Sequence, residues 1–341
     1  MLPIEIFLPK GKEMLHMSKR RKVANRRRFD PRAMESVTAK IGKLMKEQQF
    51  ESLEDAQRFL NENVLGRNLD NLEIAPRTAL DKAQMLVYRA FEETSQKKRI
   101  SMAERALEVS PDCADAYIIL AEDKARDAEQ EIDFYRRAVE AGQRALGEEV
   151  LNDPETMFWT DHSTRPLIRA MAALAEALKS NSQDVEAIEM LSEVLKLNPS
   201  DNTGSRLTLV PWLLESGRLD EAESILDRFP ADPMAHMRYS RALLLFAREG
   251  GTPRAGQELK AAINWNPFVL EIVIGQRKLI FHEGPFSPRS PEEADHYVVR
   301  GIDGWRNTRG AIEWLIEYIG DRLQKTYLDN VFPGNDFAVD H

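Results

Sequence analysis

From Ala79 onward, apolar positions recur every three or four residues and are broken at intervals by short polar stretches, the pattern of amphipathic helices. ALDKAQMLVYRAF opens the series, and DAYIILAEDKA, DFYRRAVEAGQRALG, STRPLIRAMAALAEAL and VLEIVIGQRKLIF each predict a further helix. Between 34 and 63, SVTAKIGKLMKEQQF and SLEDAQRFLNENV predict two shorter amphipathic helices, the second started by a capping box from Ser52 to Asp55. Near the far end, SPEEADHYVVRGIDGWRNTRGAIEWLIEYIGDRL predicts a helical pair with Ser290 as N-cap, Pro291 in the first turn and Glu293 as an early acid. HEGPFSPRSP reads as a proline-rich connector and 66–77 as a linker.

The polar breaks are periodic. Pro199 in LNPSD, Pro233 in ADPMA and Pro267 in WNPFV lie 34 residues apart, twice in succession. Within that period Ala187, Leu191 and Pro199 recur as Ala255, Leu259 and Pro267, while the middle unit slips by one residue to Ala222 and Leu226, with Gly217 at its turn. A small residue, a bulky one four positions on and a closing proline at this period are the signature of the tetratricopeptide helix-turn-helix repeat. Its physical basis is steric: paired helices approach closely only where side chains such as Ala175, Ala187 and Ala255 are small, and proline, lacking an N–H, closes each unit. Asn198, Asp232 and Asn266 suit the turns because their side chains bond nearby backbone. Pro76 and Pro111, 35 residues apart, bound an earlier unit; from Pro111 to Pro199 is 88 residues, 20 more than two repeats, which places an insertion at 133–165.

The expected fold is therefore all-α, a tetratricopeptide-type helix-turn-helix solenoid with atypical helical caps at both ends. Its divisions are a basic, disordered tail at 1–32, a helical segment and linker at 33–75, the solenoid at 76–267 with the insertion, and a helical cap and tail at 268–341. Terminal units of this kind cover the last apolar face of a stack. The region 76–267 resembles tetratricopeptide-repeat proteins. ALEVSPDCADAYIILAE, STRPLIRAMAALAEAL, LKLNPSDNTGSRLTLVPWLLESGRLDEAE and INWNPFVLEIV are similar to a bacterial group of such proteins related to the suppression-of-tumorigenicity family. That resemblance implies an interaction protein with no assigned reaction and no catalytic residues to carry over. Animal members of the family are regarded as membrane proteins, an attribute that this chain, without a spanning segment, does not inherit.

Composition narrows the picture. With 43% apolar and 30% charged residues, no run of about 18 apolar positions is present, and MLPIEIFLPK is too short and too acidic for a secretory signal. Cytoplasmic location is the expectation. Cys113, the single cysteine, excludes an internal disulfide and any multi-cysteine metal site, and reads as a small buried hydrophobe. The net charge of −9 hides an asymmetry: residues 1–32 carry ten Lys or Arg against three acids, so an acidic body follows a basic tail.

Four places carry candidate chemistry. FWTDHSTRP at 158–166 holds Asp161, His162 and Ser163, but three consecutive residues cannot be expected to converge as a hydrolytic triad. The plainer expectation is a helix start, with Ser163 or Thr164 as cap, Pro166 in the first turn, and Phe158 and Trp159 folded back as packing. The six histidines show no metal-binding spacing, and GGTPRAG at 250–256 lacks the Lys-Ser/Thr of a phosphate loop, so neither metal nor cofactor is expected. Aromatic and methionine positions such as Tyr117, Met171, Trp212, Tyr239 and Phe246 belong mostly to the core.

Projected onto the repeat, Tyr88, Glu122, Arg126, Arg169, Glu176, Arg206, Arg241 and Arg248 fall on the wall made by the first helix of each unit, the concave face of a solenoid. Arg169, Arg206 and Arg241 are 37 and 35 residues apart, and one arginine per unit suits an acidic or C-terminal peptide. The competing reading is a solvated face with internal Glu–Arg pairs. Last, Lys19, Arg20, Arg21, Lys22, Arg26, Arg27 and Arg28 form a tail that could meet phosphate charge without base recognition, or serve only solubility. The function these features favour is a non-enzymatic protein–protein interaction scaffold or adaptor binding a partner polypeptide in the groove. The alternative is a nucleic-acid-associated regulator acting through the tail, and an enzyme is the least supported reading.

Overall fold

The apolar periodicity becomes helix in all but one segment: among the described residues there is no strand, only an isolated bridge between Phe158 and Asp161. A computed structural model describes residues 30–46, 48, 50–64, 76–153, 156, 158–281, 285–318 and 320. The seven basic tail residues from Lys19 to Arg28 lie outside the described residues, as do most of the linker and His16, His282 and His341.

A 3-10 turn, Pro31–Met34, leads into α1 (Glu35–Lys46), and α2 (Leu53–Asn63) follows. Three helix pairs come next: α3 (Ala79–Glu92) with α4 (Gln96–Val109), α5 (Ala114–Asp123) with α6 (Ala128–Asn152), and α7 (Arg165–Ser180) with α8 (Asp184–Leu197). A second compact unit begins at Arg206. It contains α9 (Arg206–Glu215) with α10 (Leu219–Arg228), α11 (Ala235–Glu249) with α12 (Pro253–Trp265), the short α13 (Phe268–Val273), α14 (Pro291–Asn307) and a helical stretch at 311–318. The fold is all-α and of tetratricopeptide type, the two helices of each pair packing on one another.

The small residues sit where close approach requires them. Ala83, Ala90, Ala103, Ala106 and Ala116 are wholly buried in the first core cluster beside Val87, Phe91, Ile119 and Cys113. Ala175, Ala187, Ala222 and Ala255 are equally buried further along, and Leu191, Leu226 and Leu259 fill the adjoining space. The proline turns behave as the repeat requires: Asp232 accepts from the Met234 N–H at 2.9 Å and Asn266 from the Phe268 N–H at 3.2 Å, each bracketing its proline. Helix starts follow their caps. Thr78 and Asp81 form a reciprocal capping box on α3, Ser52 accepts from the Asp55 N–H, and Ser290 from the Glu293 N–H.

Two elements depart from expectation. The stretch 133–165, expected to be an insertion, is mostly helix: α6 runs 25 residues, bending at Gly147, whose φ of 76° an L side chain would resist, before the connector that ends at Thr164. VLEIVIGQRKLIF is helical only to Val273. Gly275 turns at φ 75°, and Asp295 then captures both the Arg277 guanidinium and the Ile280 N–H, holding the irregular remainder against α14.

Candidate functional site

In the unit that ends at Ser205, the first helices α3, α5 and α7 touch one another and form a wall. That wall carries an occupant from the same chain. Residues 30–46, the 3-10 turn and α1, pack against α3 and hold the wall by charge. Arg32 donates to Glu122 through both terminal nitrogens at 3.2 and 2.8 Å, binds Asp30 at 2.7 Å, and stacks 4.3 Å from the Phe91 ring. Glu35 accepts two bonds from Arg169 at 2.8 and 2.7 Å. Lys43 pairs with Asp81, and the Thr38 hydroxyl meets His162 Nε2 at 2.9 Å.

Arg169, Glu122 and Asp81 each have a second partner apart from the strap. Arg169 also donates to Asp115 at 3.1 and 2.7 Å, and Asp115, with no solvent exposure, accepts from Gln84 at 2.8 Å. Burial opposes the charge on Arg169, yet Asp115 and Glu35 together hold its pKa above the ordinary value. Arg99 is buried, donates to Asp123 at 2.6 Å, and lies 3.7 Å from Asp30 and 3.8 Å from Glu122. Partial burial would raise the Asp81 carboxyl, but Lys43 and the N–H groups of Arg77 and Thr78 draw it below its usual range. The result is an alternating lattice of carboxylates and guanidiniums in which no described charge is left alone.

Beside α1 the wall opens into a cavity of about 500 Å³, within the usual range of ligand pockets, ~300–1,000 Å³. Leu80, Met85 and Tyr88 of α3, Leu167 of α7 and Gly142 of α6 supply its apolar surface, and α1 turns its small Ser36, Ala39 and Gly42 toward it. Lys40, Arg89 and Glu92 add charge to the lining. Burial, with Asp115 nearby, raises the Tyr88 phenol, so it enters the cavity as a neutral hydroxyl. Cys113 is close but inert: burial, then Asp115, pushes its thiol up to about 12, and its Sγ donates to Gln84.

The 158–166 segment forms one end of this cavity and assembles no triad. Ser163 is exposed and its N–H bonds the Asp161 carboxylate at 2.9 Å, while His162 turns to Thr38. Burial, then the Arg165 charge, lowers the His162 pKa. Thr164 precedes α7, with Pro166 in its first turn, but its hydroxyl does not cap the helix. It donates to the Asp161 carbonyl at 2.8 Å and accepts from the Trp159 N–H at 3.1 Å, closing the joint. Phe158 is buried. Trp159, at φ 74°, lies 5.2 Å from the Arg165 guanidinium, which bonds its carbonyl at 2.7 Å.

The other projected groove residues divide between surfaces. Arg126 lies exposed in the α5–α6 turn, and Glu176 half-buried on α7. In the second unit Arg206 binds Asp232 at 2.5 Å and stacks 4.9 Å from Phe229. Arg241 reaches back to Asp227 at 3.2 Å and the Leu226 carbonyl at 2.7 Å, and Arg248 to Asp220 and Glu223 at 2.6 and 2.8 Å. The last two thus tie α11 to α10. Here too the first helices carry an occupant: α14 lies on α9, α11 and α13. Unlike α1 it is buried almost all round, through Ala294, Tyr297, Val298, Val299, Ile302 and Trp305.

Asp30, Arg32, Glu35, Arg99 and Asp115 escaped the projection onto the repeat. Only Asp115 advertised itself, as an acid inside the apolar run ADAYIILA that burial obliges to find a cation. Among the described residues no group of three or more His, Cys, Asp or Glu could hold a metal, and no helix is long and apolar enough to cross a membrane.

Comparison with known proteins adds a family. A family profile described as ST7 protein matches residues 49–324. The chain is 23% identical over 288 residues to the suppressor of tumorigenicity 7 protein-like of Gallus gallus, covering 75% of this chain and 50% of that protein. It is 24% identical over 261 residues to the Homo sapiens protein of that name, covering 69% and 45%, and 24% identical over 257 residues to a protein ST7 homolog of Drosophila pseudoobscura pseudoobscura, covering 66% and 46%. The chain thus spans about half the length of the curated relatives it matches. Among solved structures it is similar to YrrB, described as a TPR protein with an unusual peptide-binding site, at 19% identity and a TM-score of 0.40 over 61% of this chain and 90% of that one.

Proposed function

The chain belongs to the ST7 protein family, and on that premise we propose that it is a non-enzymatic scaffold or adaptor that binds a partner polypeptide on the first-helix wall of its tetratricopeptide-type array. The observation that carries this reading is the cavity of about 500 Å³ between α1, α3 and the α6–α7 joint. Apolar side chains line it, charged groups accompany them, and Arg169 beside it already binds a carboxylate supplied by another segment. Rigid paired helices hold these groups in place, so little receptor entropy is lost when a segment docks. Tyr88 lines the cavity and Glu122 and Arg169 stand beside it on the wall, both already engaged by another segment of the chain, which favours these three as leading contacts over Arg206, Arg241 and Arg248. Partners with acidic side chains fit Arg169, and a cytoplasmic location fits the lone reduced Cys113.

A photocrosslinking residue at Met85 in the cavity wall tests the reading, with Val185 on the outer helix α8 as control. Polypeptide adducts enriched at Met85 are the expected result. Equal adducts at both positions would remove the wall as a binding surface.

A second reading, a nucleic-acid-associated regulator, is favoured by ten basic against three acidic residues in 1–32. Neutralising Lys19, Arg20, Arg21, Lys22, Arg26, Arg27 and Arg28 to Gln should then weaken RNA binding at low salt and flatten its salt dependence. Unchanged binding would end that reading.

A further inference from the structure

We infer that residues 30–46 are a displaceable strap whose charge order specifies the partner: a helical protein segment with an acid, an arginine two positions on and an acid five positions on, followed by a bulky apolar residue. The inference rests on the scaffold reading and deepens it at the same site.

Three observations carry it. First, the strap is held by charge rather than by apolar burial: among its described side chains only Asp30 is buried, and Met34 is 66% exposed. Its contacts are Arg32 with Glu122, Glu35 with Arg169, Lys43 with Asp81 and Thr38 with His162. The Lys43–Asp81 pair is half-exposed, so it stabilises modestly and weakens with salt, while the Arg32 and Glu35 pairs are largely buried and are exchanged for hydration on release.

Second, the wall stays electrically satisfied when the strap leaves. Arg169 keeps Asp115, Arg99 keeps Asp123 and remains near Glu122, and Asp81 keeps the N–H groups of Arg77 and Thr78. Neither buried guanidinium is orphaned, so release avoids the large penalty of stranding Arg169 or Arg99. The contrast with α14 is plain. Its Glu293 accepts from the Ala235 and Arg289 N–H groups and from Asn266, and removing it would strand all three donors.

Third, the strap fits the charges of the wall but not its cavity. It faces the space with Ser36, Ala39 and Gly42. A side chain at the Gly42 position would meet His162 Nδ1 at 3.3 Å, whereas the Ala39 position borders the open volume. A partner segment with the same acid–arginine–acid order and a leucine-sized residue at the Ala39 position makes every contact of the strap and fills the cavity besides.

The probe is a fluorescent peptide of residues 30–46, DPRAMESVTAKIGKLMK, titrated by anisotropy against the full chain. In the receptor, R32E/E35R sets the strap against Glu122 and Arg169. Should that pair of changes unfold the chain, Glu35→Gln loosens the strap while Asp115 still holds Arg169. The R32E/E35R chain should bind the peptide about tenfold tighter than the unaltered chain, whose own strap competes, and the Glu35→Gln chain about threefold tighter. An Ala39→Leu peptide should bind about tenfold tighter again, the worth of one buried leucine side chain over alanine. A peptide with Arg32 and Glu35 exchanged should lose binding. Equal affinity for native and exchanged peptides, equal binding by the loosened and unaltered chains, or no gain from Ala39→Leu would overturn the inference. The Met85 crosslinks report separately: adducts there with a failed peptide titration reject the strap pattern alone, and their absence rejects the scaffold reading itself.

Discussion

At the scale of single residues, the most demanding group is Asp115, wholly buried on α5 and served by Arg169 and Gln84. Removing its cation leaves an uncompensated buried charge, a change that costs about 3–5 kcal/mol. Arg169→Leu should therefore lower the stability of the unit by that amount in urea unfolding, while Glu35→Gln should cost less than about 1 kcal/mol because Arg169 retains Asp115. Equal losses would mean that Arg169 serves the strap and the core alike. His236 makes a pH-dependent demand. It is wholly buried on α11, 2.7 Å from His296 Nδ1 and ringed by Phe286 and Tyr297; burial, then the Arg300 and Arg206 charges, lowers its pKa from 6.5 to about 3. The unfolded chain thus takes up a proton that the folded chain refuses. No penalty exists above pH 6.5, and it grows at ~1.4 kcal/mol per unit as the pH falls toward about 3. Between about pH 7 and about pH 5 the stability gap separating the protein from its His236→Gln variant should narrow by ~2 kcal/mol. A gap constant with pH would show that His236 is protonated in the fold.

At the scale of elements, close approach decides more than propensity does. Gly142 of α6 faces Leu167 of α7, and a Cβ there would lie 3.0–3.2 Å from the Leu167 backbone and side chain. Alanine is the better helix former by ~1 kcal/mol, yet Gly142→Ala should destabilise the α6–α7 contact by about 1–3 kcal/mol. A stabilised variant in thermal unfolding would show that α6 yields at this point. The repeat was readable because its signal is local: Ala187, Leu191 and Pro199 lie within one turn-helix unit, as do Ala255, Leu259 and Pro267. The early end of the VLEIVIGQRKLIF helix was hidden, since Asp295, which captures Arg277, comes 18 residues later on another helix. The charged wall was half readable. Spacing placed Arg169 on the first helix of its unit, but its partner Glu35 is 134 residues away, and no periodicity relates the two. Arg206, Arg241 and Arg248 show the same limit. The spacing of Arg206 and Arg241 follows the repeat, whereas the pairing of all three with Asp232, Asp227 and Asp220 depends on which way each side chain leaves the helix.

At the scale of the whole molecule, the two units cover their first-helix walls by different physics. In one, the strap of residues 30–46 is bound by ion pairs, Lys43 with Asp81 half-exposed and the Arg32 and Glu35 pairs largely buried; in the other, α14 is bound by wholly buried aromatic and branched side chains, with Tyr297 stacked on Tyr239 and Trp305 bonding the Tyr297 hydroxyl at 2.8 Å. Salt separates the two. Raising ionic strength from about 0.05 M to about 0.5 M shortens the screening length from ~14 Å to ~4 Å, which weakens the strap's exposed Lys43–Asp81 pair, stabilises the opened charges of Arg32 and Glu35, and leaves apolar burial intact. Amide hydrogen exchange across 35–46 should therefore quicken several-fold with added salt, while exchange across Pro291–Asn307 stays unchanged or slows. Joint acceleration would mean that both walls open through global unfolding, and the strap would then have no separate release step. Acceleration confined to α1 would identify it as the least stable element on its wall, which a competitor must exploit to bind there.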